Sequence, residues 1–155
     1  MIFQIDDFDV EQIINDEASS KDSEQFLKET LKGINELSED AFSKISKKFK
    51  IGSIYKISKD GQNVGEITFR EEKSRPVIGI EIEEQFRNRG TGYKVLKELL
   101  ARHSADGGVE YFVYSVRNDN IPSIRLVEKL GGVRVKTFKL FEHNNLAIYT
   151  YHIQP

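Results

Sequence analysis

One short stretch constrains this chain more than any other: Arg87-Asn88-Arg89-Gly90-Thr91-Gly92, set between an apolar run and an amphipathic one. Upstream, Val77-Ile78-Gly79-Ile80-Glu81-Ile82 is rich in β-branched residues and follows Pro76, which reads as a strand. Downstream, Tyr93, Val95, Leu96, Leu99 and Leu100 recur at helical spacing until Asp106-Gly107-Gly108 stops them. A strand that runs through glycines into a helix leaves the first-turn N–H groups unpaired and aimed back at the strand end, where an anion satisfies them. Glycine at 90 and 92 permits positive φ and close backbone approach, and Arg87 and Arg89 add positive charge. A pyrophosphate suits such a site. The plainer alternative is a tight turn with no ligand, because short glycine motifs are common. Two nucleotide motifs are excluded outright: no G-x-x-x-x-G-K-[ST] occurs, and the third glycine of a dinucleotide fingerprint is replaced by Val95.

The rest of the chain supplies the frame. Ile2 to Phe8 alternates as a first strand before an acidic turn. Asp22 with Gln25 forms a capping-box pattern ahead of Leu27, Leu31, Ile34 and Leu37, and Ser38 precedes Phe42, Ile45 and Phe49, so two helices are expected. Lys44, Lys47 and Lys48 read as the solvated face of the second. Residues 53 to 59 and Val64 to Phe69, joined through Asp60-Gly61, read as a hairpin. Val109 to Val116 is a dense β-branched and aromatic strand, Ile121 to Leu130 a helix ended by Gly131-Gly132, and Val133 to Glu142 with Leu146 to Ile153 two closing strands about Asn144-Asn145. This order predicts a mixed α/β fold: a mostly antiparallel central sheet with helices on both faces, and one parallel pair made by the crossover from Val77 to Val116.

At 155 residues a single domain spanning 1–155 is expected. With no cysteine and three scattered histidines, neither disulfides nor a Cys/His metal site is expected. The formal net charge of −2 gives no global field for nucleic acid, and a nucleic-acid domain using Arg87, Arg89 and the helix lysines is the weakest reading. No signal peptide or membrane-length apolar run is present, so a cytoplasmic protein with no membrane partner is expected.

Two blocks carry a resemblance. Glu84-Gln85-Phe86-Arg87-Asn88-Arg89-Gly90-Thr91-Gly92-Tyr93 resembles the [QR]-x-x-G-x-[GA] acetyl-CoA loop of the GNAT superfamily of N-acetyltransferases. Asn118-Asp119-Asn120-Ile121-Pro122-Ser123-Ile124-Arg125-Leu126-Val127-Glu128-Lys129-Leu130-Gly131 resembles that family's next block, N-x-x-S-x-[RK]-x-x-E-K-x-G, nearest to the branch that acetylates N-terminal amines of ribosomal proteins. The resemblance implies a GNAT-like fold and transfer of an acetyl group from acetyl-CoA to a primary amine, of a small molecule or a protein, directly in a ternary complex. It places the acetyl-CoA core at residues 77–131 and acceptor-side helices within residues 9–50. It further implies that amides from Arg89 through Gly90, Thr91 and Gly92 to Tyr93 hold the pyrophosphate, with Arg87 and Arg89 assisting by charge. The backbone at Ile82 would pair with the pantetheine arm as an added strand does, while Asn120 and Ser123 would face the pantetheine and thioester. Asn120 and Pro122 equally suit the start of a helix. This sequence departs from the family in three places: Val127 stands where many members carry a tyrosine acid, Asn88 where a glycine is common, and Gly132 where phenylalanine is usual.

Acyl transfer needs a proton acceptor for the amine, and Glu81, on the strand that leads into the loop, is the candidate base. Its alternative is an ordinary solvent-facing strand residue. Tyr114, Tyr149, Tyr151 and His152 are candidates for an acid or a water-mediated base, and otherwise belong to the strands' packing. Acidic residues Glu36, Glu39 and Asp40 would suit a cationic acceptor or helix termini alike. Val127 also keeps open a different class of protein, an acyl-CoA-binding or protein-interaction module of the same fold without turnover. The acceptor is not encoded legibly, nor is the choice between a monomer and a homodimer.

Overall fold

The computed structural model describes residues 1–13, 52–70, 74–140 and 145–155. The helices expected between Asp22 and Phe49, with Glu36, Glu39 and Asp40, lie outside these residues, as does Asn144 of the last turn.

The chain turns earlier than its sequence predicts. Instead of one strand from Ile2 to Phe8 there are two, β1 (Ile2–Ile5) and β2 (Phe8–Ile13), hinged where Asp6 adopts φ 54°. Asp tolerates that left-handed conformation better than most residues, so the acidic pair makes a hairpin turn rather than ending the strand. Asp9 to Ile13, expected among acceptor-side helices, therefore stand in β2, where Phe8 and Val10 are buried and Glu11 is exposed. There follow β3 (Ser53–Lys59), β4 (Gln62–Arg70), β5 (Val77–Ile82), a short 3-10 turn (Glu84–Phe86), α1 (Thr91–His103), β6 (Phe112–Arg117), α2 (Ile121–Lys129), β7 (Val133–Lys139) and β8 (Ala147–Ile153). Val109, expected to open β6, precedes it in a connector where the Glu110 N–H donates to the Ser74 carbonyl (2.7 Å). Ser104 ends α1 before Asp106, its hydroxyl and N–H both turned back on the Leu100 carbonyl.

The eight strands form one sheet in the order β1-β2-β3-β4-β5-β6-β8-β7, antiparallel throughout except for β5 beside β6. Registered partners share a face, and pairs on one face extend across most of the sheet: Val10 beside Ile57, Tyr55 beside Ile67, Phe69 beside Ile78, Ile78 beside Tyr114, Tyr114 beside Tyr151. All are buried. Val95, Leu96, Leu99 and Leu100 of α1 and Val127 of α2 join the same cluster, so both described helices cover this face. Each such side chain contributes roughly 1.5–3 kcal/mol by leaving water. The opposite face carries a different row, Glu11, Lys56, Glu66 and Glu81 on four successive strands. Among the described residues no helix is long and apolar enough to cross a membrane.

The centre of the sheet is where the regular pairing stops. Strands β5 and β6 pair only at Val77 with Val113 and at Ile78 with Tyr114. Beyond that point β5 continues to Ile82 against β4, and β6 continues to Arg117 against β8. The two strands part and leave a cleft with an unpaired edge on each side.

Candidate active site

The floor of the cleft is the edge of β5. The Glu83 N–H donates to the Val64 carbonyl (2.8 Å), which makes Gly65 and Ile82 a non-hydrogen-bonded pair of the antiparallel ladder. The N–H and C=O of Ile82 thus face away from β4, toward the gap, and by the two-residue repeat so do those of Ile80. The Ile82 carbonyl accepts a 2.7 Å bond from Arg87 Nε, so this arginine ties the loop to the strand end while keeping its charge beside it. The Ile82 and Ile80 N–H groups remain directed into the cleft.

At the mouth of the cleft the chain turns into α1. Asn88 has φ 61° and Gly90 φ 74°, two left-handed residues that aim the loop at the helix. Asn is the side-chain residue that adopts this conformation most readily, which explains how it replaces glycine at 88. Gly90 is the N-cap of α1; no side chain caps the helix, no acidic residue stands in its first turn, and a Cβ at Gly90 would meet no atom within 4 Å. The first-turn N–H groups of a 13-residue helix are therefore left to an outside acceptor. Arg89 is exposed and makes no ion pair with the described residues. These features fit a pyrophosphate.

Gly92 does not use the positive φ that its sequence allows. It lies inside α1 without positive φ, and a Cβ there would lie 3.6 Å from both Ile80 Cδ1 and Leu126 Cδ2. A Cβ at 92 would therefore make ordinary van der Waals contacts with β5 and α2, and the space there does not itself demand glycine. Tyr93, next to it, lies under the Lys129 and Lys97 ammonium groups at 4.2 and 5.6 Å from the ring centre, and Lys94 reaches Asp6 in the first turn of the sheet (3.3 Å). Thr91 is buried.

The other wall is β6 leading into α2. Asn120 caps α2, its Oδ1 accepting from the Ser123 N–H (3.3 Å), with Pro122 in the first turn. The preceding residue cluster fixes that entry: Asn118 binds the Asn145 carbonyl through Nδ2 (2.6 Å) and the Ala147 N–H through Oδ1 (3.1 Å), and Arg117 pairs with Asp119 (2.6 Å). Beneath the helix start, the Tyr114 hydroxyl is hydrogen-bonded to Ser123 Oγ. Burial pushes the Tyr114 phenol above the ordinary tyrosine value, so it stays protonated. Burial raises Tyr151 too, with the Glu128 carboxylate adding to the effect. Val127 is fully buried in the cluster and brings no polar group to the cleft.

Glu81 is exposed on the face away from α1 and α2, directly beside Glu66 in register. The structure thus gathers Ile82, Arg87, Asn88, Arg89, Gly90, Thr91, Gly92 and Tyr93 at one end of the cleft and Asn120 with Ser123 along its far wall, and sets Glu81 on the opposite side of the sheet. Sequence reasoning missed the Tyr114–Ser123 pair and the Asn118 clamp. The first joins two elements that no local pattern links; the second had a signal, a polar residue at a strand end, too common to single out.

This fold and cleft define a class, the acyl-CoA transferases whose sheet is split at its one parallel pair. The sequence of the Acetyltransferase (GNAT) domain family matches residues 2–133, and the chain belongs to that family. It is accordingly an acetyl-CoA-dependent N-acetyltransferase. No curated protein sequence matches it. Solved structures share its fold: RimL, a ribosomal L7/L12 alpha-N-protein acetyltransferase in complex with coenzyme A, is 16% identical with TM-score 0.69 over 99% of this chain and 98% of that one. An acetyltransferase of Salmonella typhimurium that modifies the N-terminal serine of the 50S subunit protein L7/L12 is 18% identical, TM-score 0.67, over 100% and 99%. A GNAT-family acetyltransferase from Bacillus anthracis is 19% identical, TM-score 0.66, over 99% and 98%.

Proposed function

We propose that this protein acetylates a primary amine, with the acyl donor lying in the cleft between β5 and β6 and the amine approaching from the Glu81 face. The observation that carries the reading is the parting of β5 from β6 just where an uncapped helix N-terminus faces the gap. Amides from Arg89 to Tyr93 would hold the pyrophosphate, Arg89 adding charge, and the Ile80 and Ile82 edge would pair with the pantetheine arm. Asn120 and Ser123 line the opposite wall. Acetyl-CoA supplies an acetyl group activated as a thioester.

Glu11, Glu66 and Glu81 outnumber Lys56 in this row and attract a cationic amine, which gives one proton to solvent before it attacks and a second to Glu81 as the C–N bond forms. The Ile80 and Ile82 N–H groups can donate to the carbonyl oxygen as negative charge develops there. Holding donor and acceptor on either side of one gap supplies the largest share of the rate through orientation. The alpha-amino group of a protein, the kind of acceptor named for two of the fold neighbours, is the acceptor class to try first.

The test is release of coenzyme A thiol with acetyl-CoA and a panel of amines, from peptides with a free N-terminal serine or alanine to polyamines and aminosugars. Release with at least one amine is expected, and Glu81→Gln should lower kcat by about a hundredfold or more with little change in acetyl-CoA affinity. An unchanged kcat in Glu81→Gln would remove Glu81 from the mechanism, and no release with any amine would count against the whole reading.

A further inference from the structure

A serine inside a helix can spend its proton on the carbonyl one turn back, an acceptor that a first-turn serine such as Ser123 lacks. Ser104 at the end of α1 does so, its Oγ 2.8 Å from the Leu100 carbonyl. Ser123 in α2 does not. Its N–H goes to the Asn120 cap, and among the described residues its Oγ has one partner, the Tyr114 hydroxyl.

The direction of that bond follows from chemistry. A phenol is a far better donor than an alkyl alcohol, and Tyr114, 3% exposed, has Ser123 as its one described polar partner. A buried hydroxyl proton is costly to leave unbound. Tyr114 therefore donates and Ser123 accepts, which leaves the Ser123 proton for something outside the protein. Tyr114 is also the last residue of β6 to pair with β5, so it marks the closed end of the cleft. From Ile82, at the pyrophosphate end, back to Ile78 opposite Tyr114 is four residues of open strand, about 13 Å. An extended arm anchored at the loop brings its sulfur toward that closed end. The tyrosine that many family members carry on this helix is absent, Val127 being sealed in the core, so no hydroxyl comes from there.

We propose that Tyr114 is a positioning residue for the departing sulfur: its hydroxyl holds Ser123 Oγ as an acceptor, so that the Ser123 O–H points into the cleft and donates to the coenzyme A thiolate. This rests on the cleft being the acetyl-CoA site. As the C–N bond forms and the C–S bond breaks, the electron pair passes to sulfur, the amine proton passes to Glu81, and the Ser123 hydrogen bond stabilises the sulfur's new charge. Both hydroxyls keep their protons, and Glu81 later returns its own to solvent. Because linked hydrogen bonds polarise one another, removing Tyr114 weakens Ser123 as a donor even though Tyr114 touches no substrate.

The test uses coenzyme A itself. The ionisation of its thiol, followed by ultraviolet thiolate absorbance while bound to the full-length protein, should occur roughly one pH unit higher, a tenfold change in ionisation, in Tyr114→Phe and in Ser123→Ala than in the native protein. Coenzyme A affinity at neutral pH should change by less than about threefold in both. Ser123→Thr, which keeps the hydroxyl, should titrate with the native protein. Placing 3-fluorotyrosine at position 114 keeps the shape and acidifies the phenol, so it should move the thiol the other way, and it reads out even if Tyr114→Phe does not fold. A native-like titration in Tyr114→Phe together with no shift from 3-fluorotyrosine would overturn the proposal while leaving the site reading standing. Failure of the folded native protein to bind coenzyme A would remove both.

Discussion

At the scale of single residues, the cleft is built from groups whose ordinary partners have been taken away. The helix proposed to receive the phosphates has no capping side chain, and Arg87 gives its Nε to the Ile82 carbonyl. Tyr114 carries a measurable consequence beyond the site. Its folded-state pKa is raised by burial, so the neutral phenol favours the folded state; that contribution is complete below the unfolded tyrosine value of about 10 and is lost as pH rises above it toward the folded pKa. Chemical denaturation from pH 8 to 11 should show native stability falling at the alkaline end, with a shallower fall in Tyr114→Phe. Parallel curves would mean that Tyr114 does not couple ionisation to folding. Of these residues, Gly90 and Asn120 were legible because a turn and a cap are local devices with local signatures. At Gly92 the positive φ that the sequence allows is not used: a sequence shows that a side chain is missing, and only the structure shows which backbone conformation its absence serves.

At the scale of elements, the close approach of β4 and β5 sets the geometry of the cleft's floor. A Cβ at Gly65 would fall 2.3 Å from the Glu81 carbonyl oxygen and 3.0 Å from Ile82 Cα, both backbone, so nothing flexible can yield. Gly65→Ala should cost about 2 kcal/mol or more of stability and, by pushing β5 outward, weaken coenzyme A binding. Thermal unfolding and calorimetry check the two effects together; a native-like melting temperature would contradict the account of this strand pair. Strand and helix identities here were readable from periodicity, as in α1 and α2. Their ends were not: Asp6 reversed a strand that alternation alone continued, and Ser104 stopped α1 through a back-bond before the glycines that mark its end in the sequence. Alternation reports which face is apolar, whereas the choice to turn rests on a single residue's backbone.

At the scale of the whole molecule, the sheet would separate the two charges of the proposed reaction. Both described helices and the Tyr114–Ser123 pair lie on one face, and Glu81 with Glu66 on the other, so a proton can leave the amine on one side while charge collects on sulfur at the other. The topology that makes this possible was foreseen as one parallel pair in an antiparallel sheet. An open edge at Ile82 was expected from the resemblance, but not that pairing would stop as early as Ile78, because the length of a parallel ladder depends on what each strand does with its other neighbour, here β4 and β8. The central claim is that the resulting gap, opened at Gly90, is where the acyl donor binds. Calorimetric titration of acetyl-CoA into the native protein and into Gly90→Val tests it most directly. Position 90 needs φ 74°, which a β-branched residue resists by roughly 1–2 kcal/mol, so the variant should fold with modest loss of stability. The account predicts one molecule bound per native chain and affinity at least tenfold weaker in Gly90→Val. No heat of binding in the folded native protein, or equal affinity in the two proteins, would contradict it.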